Sequence, residues 1–83
     1  MRFTFTESSK HDIEKLPRKV QQGLGEKFHY WQESKNPLEQ ARPLTQHAEA
    51  THRFRFGAYR ILIKQIGDEI RVLRIRHRKE VYR

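Results

Sequence analysis

Apolar and polar positions change rhythm twice along the chain. At the start, Arg2-Phe3-Thr4-Phe5-Thr6 alternates, so Phe3 and Phe5 share one face while Arg2, Thr4 and Thr6 share the other. This predicts a short strand. Ser8 and Ser9 then offer helix caps, and Asp12, three residues after Ser9, resembles a capping box with a carboxylate shorter than the preferred Glu. A short helix is expected to about Lys15, with Ile13 and Leu16 facing inward. Pro17 ends it and suits the first turn of the next helix.

The second helix is expected from about Arg18 to Ser34, because Val20, Leu24, Phe28 and Trp31 fall on one face at helical spacing. Gly23 and Gly25 each cost about 1 kcal/mol against Ala there, which a close approach of another backbone would explain. Lys35-Asn36-Pro37 stops the helix. Residues 36–51 read as a polar loop that drops Leu38 and Leu44 onto the core. The alternation then returns. Arg53 to Phe56, Tyr59 to Ile66 and Ile70 to Ile75 read as three strands, joined by turns at Gly57-Ala58 and Gly67-Asp68.

The order strand, helix, helix, three strands defines an α+β fold in one domain spanning residues 1–83. Two helices would pack on one face of a mainly antiparallel sheet and bury Phe3, Phe5, Phe54, Phe56, Ile61 and Ile63. Arg53, Arg55 and Arg60 would stand on the uncovered face.

Charge sharpens this picture. The chain has 83 residues and a formal net charge of +8, and the excess is concentrated: residues 51–83 hold ten Lys/Arg and three Asp/Glu. A basic surface of this density attracts polyanions, nucleic acid first and acidic protein second. There is no cysteine, hence no disulfide, and a reducing cytoplasm is the expected setting. No apolar run is long enough to span a membrane, so no membrane partner is expected. His11, His29, His47 and His52 show no metal-ligand spacing, and no phosphate-binding glycine loop occurs, so neither metal nor cofactor is expected.

Arg53, Arg55, Arg60, His77, Arg78 and Tyr82 form the candidate catalytic set, with Lys64, Arg74, Arg76, Lys79 and Arg83 as candidate RNA contacts. These residue types suit cleavage of an RNA phosphodiester. The ribose 2′-hydroxyl is its own nucleophile, so the protein must stabilise phosphate charge and move protons. Arginine's planar fork fits phosphate oxygens. Histidine titrates near about 6.5 and suits acid–base work, and tyrosine can stack on a base. A solvated basic face, a packing histidine and an anchoring tyrosine would explain the same residues without chemistry.

Residues 52–63, HRFRFGAYRILI, resemble the RelE-like core motif, and residues 72–83, VLRIRHRKEVYR, resemble its C-terminal motif. Both occur in the family's order, and the Leu16-Pro17 junction fits as well. The resemblance implies a toxin of a type II toxin–antitoxin pair that cleaves mRNA without a metal, in the ribosomal A site. It implies an antitoxin encoded next door. It puts Arg53 and Arg55 at basic groove positions, Arg60 at a phosphate-binding position, Arg78 at transition-state stabilisation and Tyr82 at substrate orientation. His77 recurs in the motif with a variable role. The sequence departs from its relatives where Arg53 and Arg55 replace common lysines, Ala58 a common Asp and Arg76 a common Gly. Arginine is a poor general base, which shifts that duty toward His77 or Tyr82. The ParE-like branch, which inhibits DNA gyrase without cutting RNA, is the alternative, and an inactive nucleic-acid-binding module is a third reading.

Overall fold

The computed structural model describes residues 1–81. Five strands form one sheet in the order β1-β5-β4-β3-β2. They are β1 (Arg2–Phe5), β2 (Arg42–Pro43), β3 (His52–Phe56), β4 (Tyr59–Ile66) and β5 (Glu69–His77). β1 pairs parallel to β5, and the other pairings are antiparallel. The helices are α1 (Glu7–Glu14), α2 (Arg18–Glu33) and α3 (Arg78–Val81), with a 3-10 turn at Pro37–Gln40. Among the described residues no helix is long and apolar enough to cross a membrane. The expected α+β layout, with helices over one face of a mainly antiparallel sheet, is what the chain adopts.

The core lies between α2 and the sheet. Leu24 and Trp31 from α2 meet Phe3, Phe54, Ile61, Ile63, Ile70 and Val72, all buried. Trp31 stacks on Phe54 with centroids 4.2 Å apart, a contact adding about 0.5–1.5 kcal/mol to plain area burial. Gly23 is explained by a side chain rather than a backbone: a Cβ there would sit 2.8 Å from the Phe56 ring tip. Gly25 faces open space. Each tight hairpin begins with a glycine in left-handed conformation, Gly57 at φ 57° and Gly67 at φ 59°, which other residues rarely adopt.

Several local expectations need correction. Thr6, not Ser8 or Ser9, caps α1; its Oγ1 accepts from Ser9 N at 3.1 Å. Asp12 has no capping role. Part of the 36–51 loop pairs as β2 against β3, because Arg42 and Pro43 meet Arg53 and His52. Leu38 packs on the core as expected, whereas Leu44 lies beside Leu62 and Arg53 on the helix-free face. β5 runs two residues past its expected end, and α3 follows it directly.

A bulge in β5 decides which arginines reach the helix-free face. Leu62 pairs with Arg74, but Ile63 pairs with Val72, leaving Leu73 unmatched. Strict alternation from Val72 would turn Arg74 and Arg76 into the core. The extra residue flips the parity, so Ile75 stays inside and both arginines turn outward.

Candidate functional site

Directly opposed residues of neighbouring strands project to one face. Two rows of side chains therefore cross the helix-free face. One runs Arg42, Arg53, Leu62, Arg74; the next runs Arg55, Arg60, Arg76. With strands about 4.8 Å apart, these residues are neighbours on that face. A hollow of about 460 Å³ lies here, bordered by Arg53, Leu62, Arg76, Leu44, His47 and Glu80. A second, of about 410 Å³, continues past His47 and Arg76 to Arg74 and Ser8. A third, of about 380 Å³, extends from Arg53 to Arg55 and Arg42. Shared lining residues join the three into one groove.

The candidates differ in how free they are. Arg55 and Lys64 are exposed and Arg53 is half-buried. Arg60 takes the expected face but is not open on it. Its side chain is 5% exposed, its Nη1 donates to the Gly57 and Tyr59 carbonyls at 3.2 Å each, and its Nε is buried with no partner among the described residues. Arg76 lies 3.5 Å from Glu80 of α3. Arg78 and Lys79 are exposed at the start of α3, where Arg78 N donates to Ala58 O at 2.7 Å and ties the helix to the β3–β4 turn. Tyr82 and Arg83 lie outside the described residues.

His77, expected in one groove with Arg53 and Arg55, shares no single hollow with either. His77 pairs with Tyr59 on the opposite parity from Arg76, and their rings meet edge-on at 5.3 Å. Its Nδ1 accepts from Lys79 N at 3.2 Å. It borders a further hollow with Tyr59 and Asp12, which meets the groove at Arg74, Arg76 and Glu80.

Arg74 is likewise not a free RNA contact. Its Nε and Nη2 donate to the two oxygens of Asp12 at 2.8 and 3.1 Å. Asp12 Oδ2 also accepts from Ile75 N at 2.9 Å. The reason is topological: β1 ends opposite Val72, so beyond that point β5 has no strand neighbour on the edge away from β4, and α1 supplies the acceptor instead. Burial pushes the Asp12 carboxyl up, but the Arg74 hydrogen bonds, the Ile75 N–H and the charges of Arg74 and Arg76 outweigh it and hold it below the usual carboxylate value. The hydrogen bond to Asp12 raises Arg74 in turn.

Sequence reasoning missed two residues near the groove. Asp12 carries one weak signal, a carboxylate next to the inward-facing Ile13. His47 carries none, since loop residues have no periodicity. Among the described residues no three His, Asp or Glu side chains gather as metal ligands.

A small α+β fold with a cationic, helix-free sheet face defines a class that the comparisons identify. The family model described as "ParE toxin of type II toxin-antitoxin system, parDE" matches residues 3–82, and the chain belongs to this family, within the RelE/ParE superfamily of type II toxins. It is similar to Toxin RelG of Mycobacterium tuberculosis, with 34% identity over 82 residues that cover 95% of this chain and 92% of the relative. The toxin–antitoxin complex RelBE2 of the same organism holds a chain superposing with a TM-score of 0.76 at 28% identity, covering 92% of this chain and 95% of that one. In the RelB-RelE complex of Methanococcus jannaschii the TM-score is 0.75 at 24% identity, over 94% and 93% of the two chains, a likeness of fold.

Proposed function

We propose that this toxin is a metal-independent endoribonuclease that cuts mRNA, with the ribosomal A site as the place of cleavage. The observation that carries the proposal is the outward register of Arg53, Arg55 and Arg76 around one groove. The 2′-hydroxyl attacks the adjacent phosphorus, the bond to the 5′ oxygen breaks, and the products are a 2′,3′-cyclic phosphate and a 5′-hydroxyl. Arg53 and Arg55 grip the phosphate oxygens, where fixed positive charge stabilises the pentacoordinate state. Arg60, opposite Arg55 in the register, and Arg78, at the start of α3, keep their places as candidate contributors. His77 stands on the opposite parity, in a hollow that meets the groove at Arg74, Arg76 and Glu80, and both His77 and Tyr82 keep their places as candidate substrate contacts. Lys64 and Lys79 extend the cationic surface, and Arg83 stays a candidate RNA contact. An antitoxin partner is part of the proposal, because the similar RelBE2 chain is found in a toxin–antitoxin complex.

The Arg53→Ala/Arg55→Ala double variant tests the reading better than Arg60→Ala, since Arg60 is buried and its loss disturbs packing. The double variant is expected to fold, to bind RNA at least tenfold more weakly, and to lower the slope of log affinity against log salt by about 0.7 per arginine. Unchanged RNA affinity would refute the assignment. Gyrase inhibition is the second reading, favoured by the ParE family match. A DNA supercoiling assay with the isolated toxin separates the two.

A further inference from the structure

The loop joining β2 to β3 brings an unassigned side chain to the arginine groove. His47 Nδ1 accepts from two backbone donors, Glu49 N at 3.1 Å and Ala50 N at 2.9 Å. The loop is anchored behind it. Ala50 is buried, Leu44 N donates to Thr51 O at 2.9 Å, and Thr51 N donates to Ile63 O at 2.9 Å. The ring borders the two hollows that also hold Arg53, Leu62, Arg74 and Arg76. A ring nitrogen that accepts carries no proton. The single proton of the neutral imidazole must then sit on Nε2, the nitrogen turned away from the loop backbone.

We infer that His47 contacts the RNA substrate directly, its neutral imidazole donating the Nε2 hydrogen to a phosphate oxygen in the arginine groove. This rests on the RNA reading above and deepens it. No proton is transferred at His47, because its lone pair is already engaged by two N–H groups. The ring serves as an uncharged donor held by the loop, beside a hollow that it shares with arginines of the sheet. It adds direction where the arginines add charge. Preorganisation of this kind spares the donor any rearrangement when the phosphate arrives.

Two substitutions separate contact from loop bracing. His47→Asn keeps an oxygen that accepts the same two N–H groups as an Asx turn, but has no donor at the far side of the ring. His47→Ala lacks both. The probe is a 2′-O-methyl RNA oligonucleotide, which binds but cannot be cut, read by fluorescence anisotropy on the isolated toxin. His47→Asn is expected to melt like the wild type and to bind about tenfold more weakly, with an unchanged salt slope because no charge is lost. Nitrogen-15 NMR of the unaltered protein gives an independent reading. It should show the proton on Nε2, and the Nε2 resonance should shift when the oligonucleotide is added. Wild-type affinity in His47→Asn, a proton on Nδ1, or an Nε2 resonance indifferent to RNA would each overturn the inference. The Arg53→Ala/Arg55→Ala variant, run beside it, keeps the two claims apart. If it too binds normally, the RNA reading falls. If it binds weakly while His47→Asn does not, only the role of His47 falls.

Discussion

Arg60 and Asp12 show how differently two charged side chains are accommodated. Arg60 keeps a guanidinium nearly out of solvent with two carbonyls for partners and, among the described residues, an unpartnered Nε. A buried donor left unpaired costs about 1–3 kcal/mol, so an apolar side chain of similar length should fit at least as well. Arg60→Met is therefore expected to match or exceed the wild type in urea unfolding, while RNA cleavage falls at least tenfold. A variant that is both destabilised and fully active would mean the arginine is there for the fold. Asp12 is the reverse case: both oxygens are used. Asp12→Ala should cost about 1–3 kcal/mol at neutral pH, as it leaves Arg74 and the Ile75 N–H without their acceptor. Because the folded-state carboxyl lies below its ordinary value of 3.8, its contribution is complete above that value. It is lost as pH falls through the lower, folded value. The gap between wild type and Asp12→Ala in urea midpoints should hold from pH 7 to about pH 5 and close in stronger acid. A gap that widens in acid would contradict the pairing.

Elements were legible where periodicity was long. The alternation of Phe3 and Phe5, the α2 stripe through Leu24 and Trp31, and the paired hairpins at Gly57 and Gly67 all follow from side-chain spacing, and the sheet assembles accordingly. What escaped had short-range or non-local causes. β2 is two residues long and exists only through pairing with β3. The β5 bulge shows in the sequence only as Val72 and Ile75 being an odd number apart, which says that a flip occurs but not what it exposes. The face taken by His77 escapes for the same reason: adjacency to Arg78 along the chain says nothing about the side on which the ring lands. The two α2 glycines, alike in sequence, differ in setting. Gly25→Ala should raise stability by about 0.5–1 kcal/mol, as helix propensity improves in open space. Gly23→Ala should gain less or lose, since the Phe56 ring must move. Thermal melts of the pair check this, and equal gains would remove the packing role of Gly23.

At the scale of the whole molecule, the sheet divides labour between its faces. One is closed by α2 and carries stability; the other keeps a row of arginines in contact with solvent, bordered by the His47 loop and by Glu80 of α3. The C-terminal concentration of charge, plain in the sequence, becomes a surface because β3, β4 and β5 are adjacent. Its chemistry stands on one claim, that these arginines cut RNA unaided by metal. The direct measurement is end-mapping of a translated transcript exposed to the purified toxin and to its Arg53→Ala/Arg55→Ala variant. The account predicts cuts by the wild type that leave 2′,3′-cyclic phosphate and 5′-hydroxyl ends, and at least a hundredfold fewer cuts by the variant. An intact transcript, or equal cutting by both proteins, would contradict it.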